Sequence, residues 1–106
     1  MPSEETPLTI LHADEAIVAI DKPAGLLVHR TRLAAGTEES ALSRVRAQLG
    51  AFVFPVHRLD RATSGVLVFG RTPTAAQALA RAFEDASVAK RYVALVRGWP
   101  EQRGVI

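Results

Sequence analysis

Residues 66–69, Val-Leu-Val-Phe, form an unbroken apolar run held between Gly65 and Gly70. A short, wholly apolar run bounded by glycines predicts a central strand buried on both faces. Such a strand needs a neighbour at each edge and a covering layer above and below. The rest of the chain must supply them.

It has the pieces. Residues 8–11 and 16–20 are strand-like apolar runs, separated by a turn at residues 12–15. Lys22-Pro23-Ala24-Gly25 reads as a second turn, because proline fixes its own φ and glycine permits a positive one. Residues 26–29 and 52–57 return to strand character, and residues 32–37 read as loop. Leu42, Val45 and Leu49 make one helical stripe, predicting a helix over residues 40–49 closed by Gly50. Thr72-Pro73 is a cap followed by a first-turn proline, predicting a second helix that carries Ala76, Leu79, Ala80 and Phe83 on one face. Residues 91–96 read as the last strand, ended by Gly98-Trp99-Pro100. The order predicts an α+β fold, a mixed and largely antiparallel sheet with two flanking helices. A doubly wound parallel sheet would need more regular alternation.

A chain of 106 residues allows one domain. The absence of cysteine excludes disulfides and thiolate metal sites. No apolar run approaches the roughly 20 residues of a membrane helix. The polar, acidic start over residues 1–6 lacks the apolar core of a signal peptide, so a cytoplasmic protein is expected. The net charge of +2 does not argue for nucleic acid. Its distribution says more: from Arg44 to Arg97 nine Arg or Lys face three acids, whereas acids gather in the first 40 residues. A basic second half suits a phosphate-binding face, and a normally solvated surface accounts for it too.

The densest polar segment is His57-Arg58-Leu59-Asp60-Arg61-Ala62-Thr63-Ser64-Gly65. In extended chain Arg58 and Asp60 project from one side, and a guanidinium there would keep Asp60 ionised. An ionised, positioned carboxylate can act as a nucleophile or answer positive charge on a sugar. The alternative is an Arg–Asp pair that pins a loop, with Thr63 and Ser64 hydrogen-bonding the turn. Tyr92, the one tyrosine, can stack on a base or transfer a proton, or it is a core aromatic with its hydroxyl at the rim. His12, His29 and His57 are scattered without ligand spacing, so no metal is assigned. His57 reads as a turn-supporting hydrogen-bonder rather than a base. Lys22 either touches phosphate or merely flanks its turn.

Three ordered segments together resemble the RluA family of pseudouridine synthases. Residues 57–65 are similar to that family's HRLDxxTSG signature. Residues 20–29 are similar to its NKPxGxxVH segment, with Asp21 where Asn is common. Residues 90–98 are similar to its KxYxAxVxG strand. A finer resemblance is to members that modify a uridine in the acceptor-stem region of certain tRNAs.

The resemblance implies an isomerase that cleaves an N-glycosidic bond, turns the uracil and rejoins it through carbon 5, with no cofactor. It implies that Asp60 is catalytic, that Arg58 fills the space of a flipped base, and that Tyr92 lies beside the target uracil. Arg61, Lys22 and Lys90 would contact RNA, and His57, Thr63, Ser64 and Gly65 would support the motif. The expected partner is RNA, tRNA before rRNA, bound by a monomer without an S4-like domain or membrane contact. The family's further basic residue and HQIR-like segment would follow Ile106, so residues 1–106 are expected to be the N-terminal part of a catalytic domain. By itself that part would be inactive and poorly soluble. The alternative from another class is a non-catalytic RNA-binding module of the same fold.

Overall fold

The computed structural model describes residues 7–29 and 40–105. The predicted loop over residues 32–37 lies outside them. Four strands form one sheet: β1 (Thr9–Ala13), β2 (Ile17–Lys22), β3 (Phe54–Pro55) and β4 (Gly65–Gly70), in the order β1-β2-β4-β3. Every ladder is antiparallel, and the parallel contact is a lone bridge from Leu27 to Ser40. With α1 (Ala41–Leu49) and α2 (Pro73–Glu84) the architecture is the expected α+β.

The β1–β2 hairpin turns on Asp14. Its carboxylate accepts the N–H groups of Ala16 and Ile17, both at 2.8 Å, and meets His12 Nε2 at 2.8 Å. These bonds, the one to His12 first, hold the Asp14 pKa at about 2. Helix α1 starts at Ser40, whose hydroxyl accepts the Ser43 N–H while Ser43 Oγ accepts the Ser40 N–H, a reciprocal cap with serine in the place usually taken by glutamate. Gly50 closes it with φ 66°. Helix α2 starts at Thr72, whose hydroxyl accepts the Ala75 N–H at 3.0 Å, with Pro73 in the first turn.

Strand β4 is central, as its composition requires, but only one of its faces is dry. Leu67 and Phe69 are fully buried against Val18 and Ile20, joined by Val45 and Ala41 of α1, Val53 and Leu59. On the other face α2 covers the Gly70 end, so closely that a Cβ on Gly70 would lie 2.6 Å from the Ala76 backbone. Val68 is half-buried there and Val66 is 58% exposed. The expectation of burial on both faces is therefore corrected: α2 crosses one end of the strand rather than running its length.

Other expectations also change. Residues 26–29 supply one bridge instead of a strand, and residues 52–57 pair only at Phe54 and Pro55, because a proline offers no N–H to the ladder. In α2, Ala80 faces solvent and no residue is fully buried. Residues 91–96 alternate like a strand, yet no described strand pairs with them, and alternation without a ladder partner does not make a strand. Val93 and Leu95 stand wholly in solvent.

Candidate active site

The β2–β4 ladder sets Asp21 opposite Val66 and Lys22 opposite Gly65. This register brings residues 23–29, which leave β2, beside residues 56–64, which lead into β4. The two motif-bearing segments, far apart in sequence, thus meet at one end of the sheet.

Lys22 fastens them. Its position continues the two-residue period of Val18 and Ile20, so its stem points into the core and the residue is fully buried. The ammonium has three donors and three acceptors: the carbonyl oxygens of Leu26 at 2.7 Å, Pro23 at 3.1 Å and Arg61 at 3.1 Å. Burial holds its pKa below the ordinary lysine value. Gly25 adds a reciprocal pair, donating its N–H to the Arg61 carbonyl at 2.7 Å while its own carbonyl accepts Arg61 Nε at 3.0 Å. Gly25 has φ 92°, a conformation glycine adopts without strain. The assignment of Lys22 as an RNA contact is corrected on this ground: no donor is left for a phosphate and no surface is offered to one. The signal was present in the spacing 18, 20, 22.

Asp60 stands on the segment so fastened. Its carbonyl accepts the Thr63 N–H at 2.9 Å, closing a turn, and its side chain is exposed. Among the described residues its carboxylate has no hydrogen bond and no ion pair. The expected pairing with Arg58 is not formed: both side chains are exposed, where water solvates each charge and a bridge gains little. The two do share a cavity of about 170 Å³, walled also by Leu27, Val28, His29, Leu59 and Arg61. His29, not among the expected site residues, is brought there by the loop after β2.

The hydroxyls of Thr63 and Ser64 make no hydrogen bond among the described residues, because the Thr63 backbone N–H closes the turn in their place. Gly65 follows with φ 128°, which side-chain-bearing residues rarely adopt. These three residues line a second, larger groove of about 720 Å³ over the open half of β4, together with His57, Phe83, Lys90, Arg91 and Tyr92. Tyr92 is 61% exposed. Asp60 lines the smaller cavity and Tyr92 the larger, and Leu59 is a wall of both. His57 turns its Nε2 to the sheet, where it accepts the Val68 N–H at 3.0 Å. Among the described residues no group of His, Asp or Glu is arranged to hold a metal ion, and no helix is long and apolar enough to cross a membrane.

The fastened loop presents an exposed carboxylate and an arginine to one small cavity. The chain belongs to the RNA pseudouridylate synthase family, whose sequence model matches residues 16–106. Among its relatives, tRNA pseudouridine synthase C of Vibrio parahaemolyticus is 46% identical over 93% of this chain and 40% of that protein. The enzyme of the same name from Salmonella typhi is 49% identical over 87% of this chain and 35% of that protein. The chain therefore spans about 40% of the length of the curated relatives it matches. Of solved structures, human RNA pseudouridylate synthase domain-containing 4 superposes with TM-score 0.58 at 28% identity, covering 74% of this chain and 30% of that one. Human RNA pseudouridylate synthase domain-containing 1, at 22% identity and TM-score 0.62, shares the fold over 80% of this chain and 30% of its own.

Proposed function

We propose that this chain carries the aspartate-bearing part of a tRNA pseudouridine synthase, and that Asp60 reacts with a uridine turned out of the acceptor-stem region. The carrying observation is the contrast within one loop. The backbone around Asp60 is tied by Lys22, Gly25 and Arg61, whereas the carboxylate itself makes no bond among the described residues. A carboxylate held in place, with no partner among the described residues, is available for chemistry.

The reaction is an isomerisation, so no electrons enter or leave. The bond from ribose C1′ to uracil N1 breaks, and positive charge develops on the sugar as in glycoside hydrolysis, which the Asp60 carboxylate answers. The uracil turns, C1′ bonds to C5, and the C5 proton is lost while N1 gains one. Arg58, exposed beside Asp60, fills the gap left by the flipped nucleotide and offsets part of the few kcal/mol that unstacking costs. Tyr92 holds the detached base or takes the C5 proton. Arg61 and Lys90 add charge for the RNA backbone. The proposed reaction requires no cofactor, and we propose a cytoplasmic monomer.

The test is tritium release from tRNA carrying [5-³H]uridine, using the complete protein as its gene encodes it. Asp60→Asn is expected to lower the rate on the order of 10³-fold or more while tRNA binding persists. Retention of the normal rate by Asp60→Asn overturns the assignment. Tritium release by neither protein, with tRNA binding intact in both, establishes the non-catalytic RNA-binding module instead.

A further inference from the structure

Strand β3 stops at Pro55, but β4 runs on to Gly65. Phe54 faces Gly70 across that ladder, so the backbone groups of Val68, two residues along, point to the same edge. In a continuing ladder the carbonyl of Val56 would take the Val68 N–H. A side chain takes it instead: His57 Nε2, at 3.0 Å. The same ring stacks on Phe83 of α2 with centroids 4.2 Å apart and planes 13° from parallel. His57 thus grips sheet and helix at once, directly before Arg58, Leu59 and Asp60.

We infer that His57 is a positioning residue for Asp60: its neutral imidazole replaces the next ladder bond of β4, letting the backbone leave the sheet while fixing where residues 58–61 begin. The inference rests on the reading that Asp60 carries the reaction. Geometry makes the division of labour necessary. Residues 58–61 must cross to the loop after β2, where the Arg61 carbonyl meets Lys22 and Gly25. A regular β3 extended past Pro55 would keep them on the sheet. Ending β3 without a substitute would leave the half-buried Val68 N–H unpaired, at a cost comparable to a lost hydrogen bond. The ring resolves both demands. Two anchors then bracket Asp60, His57 before it and Arg61 after it, with Leu59 buried between them.

An accepting Nε2 requires the proton to sit on Nδ1. Burial first, then the nearby Lys90 charge, favours the neutral ring.

Three measurements on the complete protein test the inference. Nitrogen NMR of the imidazole at neutral pH is expected to show an unprotonated Nε2; a protonated Nε2 overturns it. His57→Phe keeps a ring for Phe83 but no acceptor. It is expected to speed Val68 amide exchange at least about tenfold, and to lower kcat about 10- to 100-fold with KM for tRNA within about twofold, since misplacing a reacting group by ~1 Å costs on that order. His57→Gln, whose amide oxygen can accept, is expected to restore most of kcat. A folded His57→Phe with normal kcat overturns the positioning role, as does His57→Gln no better than His57→Phe. If His57→Phe does not fold, the ring tautomer and the kcat of His57→Gln decide. If the unsubstituted protein forms no pseudouridine, the reading of Asp60 fails, and tautomer and Val68 exchange alone decide whether His57 makes the bond.

Discussion

The Nζ of Lys22 lies 3.1 Å from the carbonyl oxygen of Arg61, a contact across 39 residues of sequence that ends one position after Asp60. A buried ammonium thereby holds the loop that presents an exposed carboxylate. Placement comes from one charged side chain, and under the proposed function the chemistry comes from another.

Lys22→Met keeps the stem and removes the ammonium, so three carbonyls lose their shared donor. The expected cost is about 2–4 kcal/mol, at the scale of hydrogen bonds to a charged group and of unpaired buried acceptors. Denaturant titration measures it. A loss below about 0.5 kcal/mol, the range of surface substitutions, would show that the loops hold without Lys22.

Gly70→Ala tests the packing of α2. A Cβ there meets the Cα, Cβ and N of Ala76 at 2.6–2.7 Å, and backbone cannot swing aside as a long side chain can. Overpacking of this kind costs about 1–3 kcal/mol. A thermal melt unchanged from the parent protein would mean that α2 can shift without loss.

Gly65→Ala separates strain from crowding. Nothing lies within 4 Å of the new methyl group, but φ is 128°. The expected cost of about 1–3 kcal/mol comes from the backbone alone. Because Gly65 opens β4 opposite Lys22, the Lys22–Gly65 register is expected to loosen, read as faster amide exchange at residues 65–66. Unchanged exchange and stability would refute this.

His57 gives a pH dependence whose sign follows from its lowered pKa. The unfolded ring takes a proton near the ordinary value of 6.5, whereas the folded ring resists it. The unfolded state therefore binds more protons below that value, and stability falls as pH drops from about 6.5 toward the lower folded pKa. Of the elements packed on the ring, α2 brings Phe83 and β4 brings Val68, both uncharged; the charged groups lining its groove are Lys90 and Arg91. Urea melts between pH 5 and pH 8 are expected to show this slope in the parent protein and a smaller one in His57→Gln. Equal slopes would assign the dependence to other groups.

Much of the architecture was legible in sequence because its causes are local. The run over residues 66–69 located the central strand. Gly50, Thr72 and Pro73 marked helix ends, since caps act within one turn. The reading failed where a ladder partner was required. Residues 91–96 have the alternation of a strand but meet none among the described residues, and residues 52–57 contain a proline that stops pairing after Pro55.

The sequence by itself determined which segments carry the polar residues of the candidate site. Tertiary structure decided how each polar group is used. Lys22 looked like a surface charge beside a proline–glycine turn, and became an internal tie because acceptors arrive from Pro23, Leu26 and Arg61. Asp60 looked like half of an ion pair with Arg58, and that pair does not form because both face water. The physical reason is common to both. Desolvation and hydrogen-bond partnership depend on atoms that sequence distance hides and only the folded sheet brings within hydrogen-bonding reach.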